Sequence, residues 1–553
     1  MVRIIIQSSS ILVLVLALLS AGCSPGPSRK EVSDNLQANI SLLQNEPPVI
    51  EGSLVYNPTL VTMLYQKGER YLSPRWDSRE NIEQMIAAIR NSGSEGLNPE
   101  DYHLSAIEEL AGNIGYSDAV SAPDIARLEI LLTDALLLLS AHLSRGKINS
   151  ESIDPQWKAA RRTLRVNLEE FVDSILSNGR IAESLTYLTP RHNEYHNLRK
   201  ALEKYRVIED NGGWELFLTT MAKIEEGMAD PDIARLRKRL SVTQGPIEPD
   251  TPERNLFDRT LRDHVVLFQR RNGLTPDGIV GRATVEALNI TVQERIAAIE
   301  ANLERWRWLS EDLGRRYIRV NIANYDLHVI EEGEVVFSSE AIVGRPYRRT
   351  PVFSSLMTFL VFNPDWIVPP GILHNDVIPA VIRNPGYLAD NNMSVLRGDG
   401  TEVDPASIDW RSFSASGFPY RIRQAPGRTN ALGRVKFMFP NQYNVYIHDT
   451  PARNLFVHTD RSFSSGCIRI DRPLELAEYL LKDNPAWNSS RIREVTGKGA
   501  ELRVNIPDPI RVHILYMTAW ATDDGTVYFR RDVYDRDRLL ISALREPSPG
   551  TSL

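Results

Sequence analysis

The hydrophobic pattern changes its period near residue 316, and this change constrains the fold more than any other feature. Before it, apolar residues recur at helical spacing, as in ENIEQMIAAIRNSG, which ends near Gly93. After it, RYIRVNIANYDLHVI and EVVFSSEAIVG alternate about Glu332–Gly333, which predicts a β-hairpin. The chain therefore needs separate helical and β-rich domains, an α+β multidomain architecture.

Length and composition exclude several classes of protein. At roughly 100–200 residues per domain, 553 residues indicate several domains. The formal net charge of −7 argues against a general nucleic-acid binder, which normally carries a basic surplus. The two cysteines, Cys23 and Cys467, are too few for a disulfide scaffold or a multi-cysteine metal site.

The N-terminus, MVRIIIQSSSILVLVLALLSAGC, has a basic residue, an apolar stretch and small residues before a cysteine. This pattern predicts a signal peptide at 1–22 and resembles a bacterial lipobox, in which Cys23 is lipidated. Residues 23–48, rich in Ser, Pro, Asn and Gln, are expected to form a flexible tether. Ser24 after the cysteine favours the periplasmic face of the outer membrane, and an ordinary cleaved signal is the alternative.

Four further regions follow along the chain. Residues 49–230 are expected to form a helical scaffold, in which ARLEILLTDALLLLSAHLSRG is apolar nearly all round and predicts a buried central helix. Residues 231–292 form a compact unit, and 293–316 a connecting helix. Residues 317–545 form the β-rich domain, with an inserted cap at about 372–432 that is too long for a plain loop.

The compact unit contains the segment LRDHVVLFQRRNGLTPDGIVGRATVEALN. It resembles the three-helix peptidoglycan-binding module, because apolar residues and glycines keep their register over more than 20 positions. A generic helix–turn–helix is the alternative. The matching residues are Val266, Phe268, Gln269, Gly273, Leu274, Asp277, Gly278, Gly281, Thr284 and Leu288.

The chemistry is concentrated between Asn444 and Arg472. Tyr446 and His448 share one face of a strand, because residues two apart point the same way. Cys467 lies in SSGC, a loop of small residues where backbone N–H groups can converge as in an oxyanion hole. A reactive thiol needs a base, for which His448 is preferred and His458 is a rival. A buried structural cysteine is the other interpretation.

Charge is unevenly distributed around this segment. Residues 415–470 carry eight basic side chains against Asp449 and Asp460, about +6 within an acidic chain. Such a surplus suits an anionic substrate, and a solvated basic face is the alternative. The eight are Arg421, Arg423, Arg428, Arg434, Lys436, Arg453, Arg461 and Arg469.

HDTP at 448–451, followed by SSGCIR at 464–469, resembles the catalytic signature of the bacterial L,D-transpeptidases. Many members have a histidine before the glycine, whereas this chain has Ser465, as in the larger, lipid- or membrane-anchored branch. ERWRWL, NPDWIVPPGIL and the C-terminal hairpin also resemble that branch. The resemblance spans residues 50–545 and covers the order of the domains.

The resemblance implies a site and a reaction. Cys467 attacks a tetrapeptide stem of peptidoglycan, D-Ala leaves, and the amine of a neighbouring stem takes the acyl group in a 3→3 cross-link. His448 is the base, oriented by the carbonyl of Asp449, and the amides of Gly466 and Cys467 form the oxyanion hole. The residues implied to line the substrate pocket are Tyr446, Trp366, Ser465 and Arg469.

No metal or organic cofactor is implied. The implied partners are peptidoglycan, the membrane through a lipid on Cys23, and the synthases or carboxypeptidases that supply tetrapeptides. Three alternatives stay open: an L,D-carboxypeptidase, an enzyme that attaches proteins to peptidoglycan, and a non-catalytic wall-binding lipoprotein. The first two share the initial acyl transfer with a transpeptidase, so the sequence does not separate them.

Overall fold

The computed structural model describes residues 26–66, 72–116, 121–159, 162, 168–413 and 417–547. The predicted signal peptide and Cys23 lie outside these residues. Contacts divide the chain into two compact units. The helical unit comprises 1–147, 164–190 and 544–553, and the large unit comprises 148–163 and 191–543.

Helices account for most of the first 310 residues. In chain order the described helices are α1 (Arg29–Leu42), α2 (Pro58–Gln66), α3 (Arg79–Asn91), α4 (Leu104–Tyr116), α5 (Ala122–Arg145), α6 (Ser150–Ile153), α7 (Leu168–Asn178), α8 (Ile181–Tyr187), α9 (Asn193–Asp210), α10 (Pro231–Gln244), α11 (Arg259–Arg271), α12 (Arg282–Leu288), α13 (Val292–Trp308), α14 (Pro370–Ile372), α15 (Ile378–Arg383), α16 (Tyr387–Asp390), α17 (Pro473–Leu480), α18 (Ser489–Lys498) and α19 (Asp537–Arg545).

Strands dominate from residue 316 onward. The described strands are β1 (Val49–Ile50), β2 (Ser53–Leu54), β3 (Trp157–Lys158), β4 (Arg316–Asn321), β5 (Asp326–Glu331), β6 (Glu334–Gly344), β7 (Val352–Phe362), β8 (Trp366–Ile367), β9 (Met393–Leu396), β10 (Glu402–Val403), β11 (Arg421–Gln424), β12 (Val435–Met438), β13 (Ile447–His448), β14 (Ser462–Ser464), β15 (Ile468–Ile470), β16 (Leu502–Leu515), β17 (Ala519–Ala521) and β18 (Val527–Phe529).

The predicted central helix of the helical unit is confirmed as α5, which is buried along most of its length. One of its two deeply buried acids, Asp134, accepts hydrogen bonds from the backbone N–H of Tyr56 at 2.9 Å and of Asn57 at 2.8 Å. The imidazole Nε2 of His103 lies 2.8 Å from the same carboxylate. These partners replace the water that burial removes. Among the described helices, none is both long and apolar enough to cross a membrane.

The expectation of a flexible tether at 23–48 is wrong for Arg29–Leu42, which form helix α1. Helix α1 begins with a capping box, in which the side chains of Ser28 and Glu31 each accept a hydrogen bond from the other's backbone N–H. Leu36 and Ile40 are buried in the core of the helical unit. The segment is polar in overall composition, but its apolar residues recur at helical spacing and form one buried face.

The boundary predicted at 230 also differs from the structure. Helix α9 packs against α13 and β17 in the large unit, which begins again at Arg191. Phe217 and Ile224 belong to the core of the three-helix module, and Ile224 forms a backbone bridge with Val280. Apolar residues before 231 therefore contribute to the core of the module.

The three-helix module consists of α10, α11 and α12. The buried amide of Gln269 fixes the loop between α11 and α12. It donates to the Asp277 carboxylate and the Ile279 carbonyl, both at 2.9 Å, and accepts from the Gly278 N–H at 2.9 Å. Gly273 follows the end of α11 in the left-handed conformation, as the sequence indicates.

The segment predicted to be a connecting helix is a buried element of the large unit. Helix α13 ends at Trp308, and its last turns are almost entirely enclosed. Within it, Arg307 and Glu304 form a 2.7 Å ion pair with both side chains fully buried. The other oxygen of Glu304 accepts the backbone N–H of Ile148 at 2.7 Å.

The main sheet of the large unit closes into a ring. Its strands follow the order β12-β13-β15-β6-β5-β4-β16-β7, and β7 also pairs with β12. The hairpin predicted at Glu332–Gly333 is confirmed, since β5 and β6 are antiparallel neighbours. Together with the helical unit and the three-helix module, this sheet confirms the predicted α+β multidomain class. Within this ring, β13 lies between β12 and β15.

The predicted insertion is a small subdomain with its own core. Its sheet has the order β10-β9-β11-β8, with α14, α15 and α16 beside it and a π-helical turn at Leu373–Val377. The core includes Val368 and Ile422, and Trp366 packs against it. The subdomain, called the cap below, therefore begins at Trp366 rather than 372.

Candidate active site

Parallel pairing of β13 with β15 brings the two predicted reactive segments together. In this register His448 lies opposite Arg469, and on its other side it lies opposite Lys436 of β12. The N–H of Ile468 donates to the carbonyl of Tyr446 at 3.1 Å, which sets Cys467 beside that tyrosine. As predicted, Tyr446 and His448 are on one face, with ring centroids 5.6 Å apart.

His448 is held in one tautomer. Its Nδ1 lies 2.5 Å from the carbonyl oxygen of Asp449. A carbonyl can only accept, so Nδ1 carries the proton and Nε2 keeps a free lone pair. Burial lowers the pKa of His448 to about 3, helped by the charges of Arg469 and Lys436 and opposed by the Asp449 carbonyl. At neutral pH the imidazole is therefore an uncharged base.

The Asp449 carboxylate faces away from the imidazole. It accepts the backbone N–H of Arg434 at 2.8 Å and that of Thr450 at 2.7 Å. Gly433 leaves room for it, because a Cβ there would meet the carboxyl carbon at 2.4 Å. These bonds fix the turn that aims the Asp449 carbonyl at His448, so the side chain positions the base indirectly.

The loop that carries Cys467 is fixed by short hydrogen bonds. Gly466 has a φ of 117°, which strongly favours glycine. Its N–H donates to the Ser464 hydroxyl at 3.1 Å, and that hydroxyl donates to the Cys467 carbonyl at 2.6 Å. The Gly466 amide would therefore have to change its partner to bind an oxyanion. Its predicted role in an oxyanion hole stays a prediction.

Burial dominates the environment of the Cys467 thiol. It raises the pKa of Cys467, and hydrogen bonds from Tyr446 and the charge of Arg469 offset part of that rise. Burial likewise raises the pKa of Tyr446 above its usual range, and the neighbouring Cys467 thiol acts in the same direction. The resting pair is thus a neutral thiol and a neutral imidazole.

Cys467 and His448 line one cavity of about 860 Å³. Tyr446, Trp366, Ser465 and Arg469, all predicted from the sequence, line it too. The rival His458 does not, and its ring packs against Phe463 at 5.5 Å between centroids. Among the described residues, the structure therefore brings His448 rather than His458 into the cavity with the thiol.

Most of the positive charge in this cavity was not predicted. Of the eight basic residues counted in the sequence, Arg469 is the one that lines it. Arg345, Arg348 and Arg349 come instead from the loop between β6 and β7. The run GRPYRRT at 344–350 was a visible signal, since it places three arginines within five positions between two strands. Asp376 is the one carboxylate among the described lining residues.

Arg348 links the cap to the cysteine loop. Its Nη1 lies 2.6 Å from the carboxylate of Asp376 in the cap and donates to the Ser465 hydroxyl at 2.8 Å. The ion pair is partly shielded, with the Arg348 side chain 18% exposed. One guanidinium therefore contacts both the cap and the residue two positions before Cys467.

Residues 315–500 match the family model described as L,D-transpeptidase catalytic domain. This part of the chain is therefore similar to the catalytic domain of that family. Residues 229–288 match a "Putative peptidoglycan binding domain", and residues 59–202 match a "Scaffold domain". The three matches follow the order of domains in the chain.

Relatives of the L,D-transpeptidase domain are also found by direct comparison. A "Putative L,D-transpeptidase" of Haemophilus influenzae is 39% identical over 221 residues, 40% of this chain and 44% of that protein. The chain thus spans less than half the length of this curated relative.

Solved structures give a weaker likeness. One L,D-transpeptidase, from Mycobacterium smegmatis, is 15% identical over 36% of this chain and 58% of its own, with a TM-score of 0.18. Another, from Xylanimonas cellulosilytica, is 14% identical over 54% of this chain and 100% of its own, with a TM-score of 0.17. TM-scores this low carry no argument about fold or activity.

Among the described residues, no cluster of three or more His, Cys, Asp or Glu side chains is arranged to hold a metal ion.

Proposed function

We propose that the chain is an L,D-transpeptidase of peptidoglycan that uses Cys467 as its nucleophile. The observation that carries this proposal is the shared cavity of Cys467 and the uncharged His448, within a domain of that family. The arginines around the thiol suit the carboxylates of stem peptides. The peptidoglycan-binding match at 229–288 supports the same substrate.

The first half-reaction follows from the two neutral groups. The Cys467 sulfur attacks the carbonyl between the third residue of a tetrapeptide stem and its terminal D-Ala. His448 Nε2 takes the thiol proton and returns it to the leaving amine, so D-Ala departs and a thioester remains. The Tyr446 hydroxyl, which belongs to the same cavity as Cys467, disperses charge that develops on the sulfur.

The second half-reaction uses the same base. A side-chain amine of a neighbouring stem attacks the thioester, His448 takes a proton from it, and the sulfur leaves as a thiol. The product is a 3→3 cross-link. Water as acceptor would make the enzyme a carboxypeptidase, and a protein lysine would make it an attachment enzyme. We further propose that the protein works in the periplasm, anchored by a lipid on Cys23, beside synthases and carboxypeptidases.

The product pattern distinguishes these acceptors. We expect the chain lacking residues 1–23, incubated with disaccharide-tetrapeptide, to yield a dimer with one D-Ala fewer, measured by mass spectrometry. Tripeptide without dimer would shift the assignment to a carboxypeptidase. No product from folded protein would contradict a transpeptidase acting on isolated stems. Dimer formation with the disaccharide-tripeptide alone would contradict the proposed donor, because that molecule has no terminal D-Ala to release.

Loss of Arg348 should slow turnover through the cysteine loop. Arg348→Met removes both the ion pair to Asp376 and the hydrogen bond to Ser465, each charge-assisted and worth roughly 1.5–3 kcal/mol. We expect kcat/KM for disaccharide-tetrapeptide to fall about tenfold or more. Asp376→Asn is the matched control, because it keeps Arg348 beside Ser465, and its kcat/KM should change by less than about threefold. If Arg348→Met and Asp376→Asn lower kcat/KM equally, the role of Arg348 does not depend on its hydrogen bond to Ser465.

A further inference from the structure

A second cavity of the large unit, of about 450 Å³, lies where the three-helix module meets the hairpin β17–β18. Its lining includes four cationic side chains, contributed by α9, α10, α11 and α13. They are Lys204, Arg239, Arg271 and Arg295. Asp524, at the hairpin turn, is the one carboxylate among the described lining residues, and it accepts the Thr522 hydroxyl at 2.6 Å and the Thr526 N–H at 2.9 Å.

The two central arginines are buried without a carboxylate. Arg239 is 5% exposed and Arg295 is 8% exposed. Among the ion pairs of the described residues, neither guanidinium has a partner within 4 Å. Burial lowers the pKa of Arg239 to about 9, and the charge of Arg295 adds to this effect. Unpaired buried charge of one sign is costly, so such a cluster is rarely built for stability alone.

Each of these two guanidiniums stacks on the face of an aromatic ring. Arg239 lies 4.0 Å above the Trp214 ring centre and Arg295 lies 4.3 Å above that of Phe529. Stacking leaves the N–H edges for hydrogen bonds. Arg239 Nε donates to the Leu288 carbonyl at 2.9 Å, whereas its buried Nη1 has no protein partner. Arg295 Nη2 is satisfied by the Asn272 side chain and the Ala287 carbonyl.

Three of the four cationic side chains act on the same tyrosine, Tyr205. Burial raises the pKa of Tyr205, and the charges of Arg295, Arg239 and Arg271 act in the opposite direction. Tyr205, which is 7% exposed, lines the cavity together with these three arginines. A planar fork of N–H donors matches a carboxylate or phosphate better than any neutral group.

We propose that this cavity binds an oxyanion, separately from the catalytic cavity, and that its ligand is a free carboxylate of a peptidoglycan stem. The oxyanion part depends on the residues above, and the identity of the ligand rests on the proposed function. A stem bound here by the matched peptidoglycan-binding region would hold nearby glycan close to the enzyme. A free anion such as inorganic phosphate offers the same chemistry from another source.

The test uses the chain lacking residues 1–23 and carrying Cys467→Ala, so that binding is measured without turnover. Arg239→Gln removes the charge, and Arg235→Gln, on an exposed part of the same helix, is the matched control. The probes are sodium phosphate, disaccharide-tetrapeptide and the same muropeptide with its carboxylates amidated, all at constant ionic strength. For each probe, the change in Tm and the binding stoichiometry by calorimetry are measured.

We expect phosphate to raise the Tm of the parent and of Arg235→Gln, but not of Arg239→Gln. The tetrapeptide should occupy two sites in the parent and one in Arg239→Gln, and the amidated form should lose the Arg239-dependent site. Without anion, Arg239→Gln should have an equal or higher Tm, because it removes an unpaired buried charge. Should that variant fail to fold, Arg295→Gln is used with the same expectations.

The outcomes separate the two parts of the proposal. If phosphate still raises the Tm of Arg239→Gln and of Arg295→Gln, the proposed oxyanion site is overturned. If phosphate raises the Tm in a way that depends on Arg239 but disaccharide-tetrapeptide does not, a stem carboxylate is not the ligand. Loss of catalysis by the parent enzyme would refute the proposed function without affecting the Arg239-dependent binding, so the two failures remain distinguishable.

Discussion

Cys467→Ala is expected to abolish dimer formation from disaccharide-tetrapeptide, with a loss of at least about 10⁴-fold in rate. Without the sulfur no thioester forms, and neither the base nor the surrounding arginines can supply a nucleophile. Cys467 is also the one cysteine after Cys23, so no second thiol can substitute for it in the chain lacking residues 1–23. Product mass spectrometry at matched protein concentration measures the effect.

A second readout separates chemistry from binding. A carbapenem should acylate the parent protein once, seen as a single adduct in the intact mass, and leave Cys467→Ala unmodified. Cys467→Ser serves as the shape-matched control, because it keeps a similar side chain with a much weaker nucleophile, and it should also be inactive. Retention of full cross-linking by a folded Cys467→Ala protein would refute the proposed mechanism.

His448→Gln is expected to lower kcat by roughly 10²–10⁴-fold, the usual contribution of a general base. Glutamine can still hydrogen-bond the Asp449 carbonyl, but it has no lone pair of suitable basicity toward the thiol. His458→Gln is the matched control, because His458 does not line the cavity, and its kcat should be unchanged. A loss in His458→Gln as large as in His448→Gln would reverse the assignment.

The pH dependence of the thiol tests the same pair. Burial raises the pKa of Cys467 and lowers that of His448 to about 3, so near pH 7 the proton resides on sulfur. Below the thiol pKa, the thiolate fraction grows about tenfold per pH unit. Alkylation of the free enzyme by iodoacetamide should therefore accelerate about tenfold per unit between pH 6 and 8. A plateau below pH 7 would show a preformed thiolate–imidazolium pair instead.

The positive charge of Arg469 acts on both groups of the proposed catalytic pair, His448 and Cys467. Arg469 lies opposite His448 across the strand pair and disfavours protonation of the imidazole. The same positive charge favours the thiolate of Cys467. Arg469 thus makes His448 a weaker base and favours the thiolate of Cys467. We expect the thiol proton to pass to His448 as the sulfur attacks.

Much of the candidate site follows from the sequence, because its signals are local. The alternation at Tyr446 and His448 places both on one face whatever the rest of the sheet does. The small residues before Cys467 indicate a tight loop, and the structure gives Gly466 a φ that favours glycine. The hairpin at Glu332–Gly333 and the buried helix α5 likewise express patterns within single segments.

Tertiary structure decided the features that join distant segments. Parallel pairing of β13 with β15 selected His448 over His458, since it sets His448 opposite Arg469. Folding of the β6–β7 loop brought Arg348 to Ser465, 117 residues away in the chain. Packing also assigned α9 to the large unit, against the expected boundary at 230. Local periodicity shows which face of a segment is apolar, but which partner covers that face depends on contacts that only the folded chain provides.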